Sequence, residues 1–178
     1  MKISDNISYI TEAPEKWSLF RNRSYTAKIQ RSDPQREYNV PGKKGVVYNY
    51  LEDSYEPVSE GGFIVTGALG EVWPIGESSF GKYGIDKTDV GFEPVEVRTI
   101  QWETVYAAIQ IPAEIQFTLE VNYGERALLH GNRPGISHGS GDWVMVFARK
   151  EGQIFLPDFT DSGRIVNGRA MPIIYRPY

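Results

Sequence analysis

Apolar and polar residues alternate with a period of two along much of the chain. Tyr25, Ala27 and Ile29 fall on one side of their stretch and Thr26, Lys28 and Gln30 on the other, as in a half-buried strand. Val95, Val97, Thr99 and Gln101 alternate in the same way against Glu96, Arg98, Ile100 and Trp102. Ile115, Phe117, Leu119 and Val121 against Gln116, Thr118 and Glu120 form the cleanest such pattern. Shorter runs at 46–51, 105–111 and 143–148 read as further strands, and 127–129 returns from a turn at 123–126 to close a hairpin.

The most patterned stretch is 61–83, GGFIVTGALGEVWPIGESSFGKY. It predicts a strand at 63–65, a glycine-assisted turn at 67–70 and a return strand at 71–75. Pro74 lacks a ladder donor, so the return strand ends there or lies on a sheet edge. One helical turn over 78–83 would place Phe80 and Tyr83 on the same side. Near the other end, 150–152 is expected to turn between strands at 143–148 and 153–156. Asn167-Gly168 is expected to join short strands at 165–166 and 171–175, being a favoured two-residue hairpin turn. Trp73, Trp102 and Trp143 sit in apolar runs and are expected as core anchors.

These patterns predict a mainly β protein: two similar small twisted sheets or partial barrels with one or two short helical turns. Residues 1–17 read as a leader, 18–90 as a first β-rich repeat unit and 91–178 as a second. Two alignments carry the repeat. The strand ending Ile29-Gln30 resembles the stretch ending Ile100-Gln101, and Gly62-Phe63-Ile64-Val65 resembles Asp142-Trp143-Val144-Met145. A rival register sets Tyr25-Thr26-Ala27 against Tyr106-Ala107-Ala108.

Composition narrows the classes. Of the 178 residues, 40% are hydrophobic and 13% aromatic, enough for a packed core. A net charge of −4 argues against a duplex nucleic-acid binder. The absence of cysteine excludes disulfides, thiolate metal sites and a cysteine nucleophile within this sequence. No apolar run reaches the roughly 20 residues that cross a bilayer as a helix, and a cytoplasmic location is expected.

The motif 61–83, with PVEVRTIQW and GSGDWVMV, resembles the small bacterial and phage domains known as PGDYG proteins. The likeness covers the repeat cores, about half the chain. It departs at Gly61-Gly62, where the family has Gly-Asp, and the second copy lacks the family's return strand. The resemblance implies a compact bacterial or phage domain and transfers no catalytic residue.

Candidate chemistry centres on 130–141, HGNRPGISHGSG. Backbone N–H groups of such a glycine-rich loop can form an anion-binding concavity, with Arg133 adding charge and His130 or His138 a donor. Gly131, Gly139 and Gly141 would line it, and Arg126, in the turn at 123–126, is a further ligand-binding candidate. A phosphorylated or nucleotide-like small molecule is the matching ligand class. Arg23 and Tyr25, among the cations Arg21, Lys28, Lys43 and Lys44 and near Tyr48 and Tyr50, offer stacking on a base with charge for its phosphate.

The stretch 126–136, RALLHGNRPGI, also resembles the first, histidine-containing motif of ADP-ribosyltransferases, which would place His130 against an NAD ribose. A metal held by His130, His138 and Asp142 or Glu125 has permissive spacing only. Glu71 and Glu151, as turn residues, are expected to face solvent. The reading these observations favour is a non-catalytic module that sequesters a small phosphorylated ligand, without cofactor, metal or membrane, and that forms a homo-oligomer. An NAD- or nucleotide-processing enzyme using His130 and a protein–protein interaction module are the alternatives.

Overall fold

The computed structural model describes residues 2–3, 14–50, 54–111, 118–123, 126–131, 141–160 and 163–178. In chain order its strands are β1 (Lys2–Ile3), β2 (Ser18–Asn22), β3 (Thr26–Arg31), β4 (Val46–Asn49), β5 (Ser54–Pro57), β6 (Phe63–Thr66), β7 (Val72–Ile75) and β8 (Val95–Arg98). They continue with β9 (Val105–Gln110), β10 (Thr118–Tyr123), β11 (Arg126–Gly131), β12 (Trp143–Glu151), β13 (Ile154–Pro157), β14 (Arg164–Val166) and β15 (Tyr175–Pro177). One short helix, α1 (Met171–Ile174), and 3₁₀ turns at Pro14–Lys16, Glu77–Tyr83 and Lys87–Asp89 complete the described elements. The protein is mainly β, every strand pairing is antiparallel, and no sheet among the described residues closes into a barrel.

The chain divides into two compact units, one nested in the sequence of the other. The outer unit is Met1–Asn22 with Trp102–Tyr178, and the inserted unit is Arg23–Gln101. The sequence boundaries at 17/18 and 90/91 mark likeness between stretches, and they fall inside the outer and inserted units respectively.

The inserted unit holds a four-stranded sheet, β7-β6-β3-β8, and the separate hairpin β4-β5. The unbroken FIVT run makes β6 a strand buried on both faces, with Phe63, Ile64 and Val65 at most 2% exposed. On one face, Phe63 and Val65 join Ala27, Ile29 and Val97 against Phe80, Tyr83 and Val90. Ile64, on the other face, packs with Val47 of β4 and with Val58. Burying each such side chain contributes about 1.5–3 kcal/mol. The 3₁₀ turn puts Phe80 and Tyr83 into the core as the spacing predicts, and Pro74 lies on the edge strand β7. The turn ends at Gly84, whose φ of 64° and whose approach to the Arg98 carbonyl leave no room for a Cβ.

The outer unit holds the sheet β13-β12-β9-β2-β15 and a smaller one, β1-β10-β11. Strand β12 has nine residues and pairs one flank with two strands end to end: β14 along Trp143–Met145, then β13 along Ala148–Glu151. The apolar run of β9 is central, buried from Val105 to Ile109. Within the region read as a leader, Lys2 and Ile3 pair with β10, and Trp17 is buried edge-on against Phe159 at 5.3 Å. Asn22, wholly buried, accepts the Trp102 N–H on Oδ1 at 3.1 Å, tying the point where the chain leaves this unit to the point where it returns.

Two expectations need correction. Asn167-Gly168 does not close a β-hairpin. The Asn167 side chain accepts the Arg169 N–H at 2.8 Å, and its carbonyl accepts the N–H groups of Ala170 and Met171, so the local bonds lead into α1. Residues 171–174 are therefore helical, and β15 pairs with β2 instead. The likeness of the Ile29 and Ile100 stretches relates β3 to β8, which are neighbours in one sheet. In strand order the counterpart of β3 is β9: each is followed by a hairpin (β4-β5, β10-β11), then by its antiparallel partner (β6, β12), then by that partner's hairpin mate (β7, β13).

Candidate functional site

The glycine-rich stretch begins inside a strand. His130 and Gly131 belong to β11, opposite Leu119 and Thr118 of β10, and Arg126 lies at the other end of β11 opposite Tyr123. Arg133, His138 and Gly139 lie outside the described residues, as does Glu125. At the far end, the Gly141 carbonyl accepts Gln110 Nε2–H at 3.1 Å. Asp142 is buried at 4% exposure, and its Oδ1 accepts the Gly168 N–H at 3.2 Å while its carbonyl accepts the Ile111 N–H. A buried carboxylate must be hydrogen-bonded, and Asp142 is spent in this way on holding the start of β12 to the 167–168 turn.

A basic group that the sequence did not single out stands beside this segment. Arg164 opens β14, which pairs with the first three residues of β12 and lies within 8 Å, Cα to Cα, of both β10 and β11. Its guanidinium carbon is 5.2 Å from the ring centre of Tyr106 and 5.2 Å from that of Tyr175. Nη2 donates to the Tyr175 hydroxyl and contacts Met145 Sδ at 3.5 Å. Among the described residues no carboxylate lies within ion-pair distance, and none of them bonds Nε or Nη1. The residue as a whole is partly exposed.

The rings around Arg164 form a connected set. Tyr106 stacks on Phe147 at 5.5 Å, meets Tyr175 edge-on at 5.5 Å and accepts the Trp102 indole N–H at 2.8 Å. Phe20 meets Trp143 edge-on at 5.4 Å. Burial pushes the Tyr175 pKa up to about 12, with the Arg164 charge acting in the opposite direction. Tyr175 is therefore a neutral hydroxyl at physiological pH. Only one cue in the sequence marks Arg164: it shares the inward parity of Val166 in a three-residue strand. That is too short a pattern to separate a surface arginine from this one.

The other sequence candidates divide between the two units. Arg23 is exposed and belongs, with Tyr25, to the inserted unit, whereas His130 and Gly141 belong to the outer one. The Tyr25 ring packs on the inserted core, and its N–H and carbonyl bond Thr99. Tyr50 donates to the Leu69 carbonyl, while Tyr48 leans on Tyr55, over which Lys43 sits at 5.3 Å. Arg21 is in the outer unit, over the Tyr178 ring and 3.5 Å from Glu103. Of the expected cluster of cations and tyrosines, Arg21 belongs to the outer unit and the remaining members to the inserted one.

Glu71 contradicts its expected exposure. It is 3% exposed, folded over Gly67, and accepts the Leu69 N–H on Oε2 at 2.8 Å. Burial raises its pKa against the lowering effect of these backbone bonds. Glu151, in β12, is solvent-facing and pairs with Arg149 at 2.9 Å. Among the described residues no three His, Cys, Asp or Glu gather as a metal site.

No protein-family model, curated protein or solved structure matches the chain.

Proposed function

We propose that the outer unit is a non-catalytic binding module that captures a small phosphorylated or nucleotide-like ligand, with Arg164 as its anion-recognising group. The observation that carries this reading is a half-buried guanidinium braced by two tyrosine rings, with two nitrogens unused and no carboxylate partner among the described residues. An arginine that only stiffens a core is normally neutralised by an acid. One left without an acid in low-dielectric surroundings favours an anion from solution, and its planar donors suit phosphate or carboxylate oxygens.

Its position supports the same reading. Arg164 opens β14, a strand approached by β11, which carries His130 and Gly131, and it pairs opposite Met145 of β12. The anion-binding role expected of Arg133, which lies outside the described residues, is proposed here for a residue held by the sheet. The PGDYG-like motif, in this reading, is scaffold in the inserted unit.

Native mass spectrometry of protein purified from cells tests the proposal and reads the oligomeric state as well. The wild type is expected to retain a ligand that denaturation releases unchanged, and Arg164→Gln to lose it. In a thermal-shift series, phosphate and nucleotides should stabilise the wild type, and the variant should respond at least tenfold more weakly in concentration. An absence of retained ligand together with no shift from any phosphorylated compound would sink the reading.

A further inference from the structure

From the ring set around Arg164 we infer that the ligand carries a flat heterocycle as well as an anion, and that Phe147 is the surface on which the heterocycle stacks. The inference rests on the Arg164 reading and names the ligand class as a nucleotide rather than a simple phosphate.

Phe147 is 40% exposed, although it lies on the same strand as Val144, Met145 and Val146, each at most 2% exposed. One side of its ring is covered by Tyr106 in a near-parallel stack, with planes 28° apart. Tyr106 itself is fixed. It is 7% exposed, and its hydroxyl is held by the Trp102 indole. An exposed phenylalanine backed by an immobile tyrosine keeps its conformation without a ligand, so stacking a base on it loses little side-chain entropy.

The same Tyr106 ring carries the Arg164 guanidinium, so the exposed ring and the unpaired cation share one support. Alternation along β12 puts Phe147 on the Met145 face, and Arg164 pairs opposite Met145, on that face. An apolar plane with a nearby cation suits a base joined to a phosphate, and base–aromatic stacking tolerates any base because each has a π face. On the rim of this face Arg149 is already paired with Glu151, which leaves Arg164 as the cation for the ligand's phosphate.

Calorimetric titration with AMP and with ribose 5-phosphate, on the full chain, tests the inference. AMP should bind at least tenfold more tightly than ribose 5-phosphate. Phe147→Ala should weaken AMP about tenfold while leaving ribose 5-phosphate within twofold. Phe147→Leu keeps an apolar side chain without a flat ring and should behave as the alanine variant does, which separates stacking from any loss of fold. Trp102 fluorescence should respond to AMP in the wild type, because its indole is bonded to Tyr106. Equal binding of the two compounds, unchanged by either Phe147 variant but lost in Arg164→Gln, would overturn the heterocycle and leave the anion site standing. Binding of neither compound would overturn both.

Discussion

Glu71 in the inserted unit and Arg164 in the outer unit each bring a charge among aromatic rings, and the two sheets resolve that conflict in opposite ways. Glu71 lies beneath a turn, is bonded by main-chain N–H, and is pushed by burial towards its neutral form. A carboxyl group has that option, since taking up a proton removes the charge that desolvation penalises. Arginine does not. Arg164 therefore lies against the faces of Tyr106 and Tyr175, where ring quadrupoles favour a cation, and the residue is only partly buried. The titratable residue is a buried scaffold group, and the permanently charged one is the group we propose meets an anion.

The difference can be broken most forcefully at Gly67. A Cβ there would lie 2.1 Å from Glu71 Oε1 and 2.8 Å from the Trp73 ring, so the carboxylate and the turn cannot both keep their places. Gly67→Ala should cost about 1–3 kcal/mol by overpacking, read from urea denaturation. A cost near zero would mean that Glu71 swings out freely and is not a buried scaffold group.

Glu71→Gln should have a smaller effect, visible in pH dependence. With its folded pKa raised above 4.5, wild-type Glu71 takes up its proton more readily folded than unfolded. Its contribution therefore falls as pH rises through that window and is greatest on the acid side. The melting-temperature difference, wild type minus variant, should decline between pH 4 and neutrality. A difference that rises with pH would show that the Leu69 N–H outweighs burial and keeps the carboxylate charged.

The mildest effect is expected in alkali. Tyr175, with a folded pKa of about 12 against an ordinary value of 10.0, contributes fully below pH 10 and progressively less towards pH 12. Tyr175→Phe should flatten part of that decline in a stability-versus-pH series. Tyr83 adds to the same decline, since burial raises its pKa, reinforced by Tyr25 and Glu71. The Trp73 indole opposes this while falling short of hydrogen-bond geometry to the Tyr83 oxygen. A decline that persists unchanged in Tyr175→Phe would assign it to Tyr83 and the inserted core.

Legibility in the sequence followed the range of the forces involved. The β6-β7 hairpin, its glycine turn, the edge position of Pro74 and the inward pair Phe80 and Tyr83 were readable because neighbouring residues determine them. Asn167-Gly168 was misread because Asn serves a hairpin and an Asx-type turn equally well, and only the side-chain bond to Arg169 decides. Glu71 was misread because its burial depends on Trp73 and on the absence of a side chain at Gly67, which alternation does not encode. Arg164 was not legible because Tyr106 lies far from it along the chain, Tyr175 follows it beyond α1, and both meet it only once β9, β12, β14 and β15 are assembled.

The tie between Asn22 and Trp102 carries a consequence for the order of biosynthesis. All strands of the inserted sheet lie within one continuous stretch, complete once Arg98 has been made. Strand β2 is synthesised long before either of its neighbours, since β9 begins at Val105 and β15 at Tyr175. On the ribosome the inserted unit can therefore assemble while Phe20 and Asn22 still wait for partners. The ring set around Arg164, which we propose meets a nucleotide, is among the last parts to form.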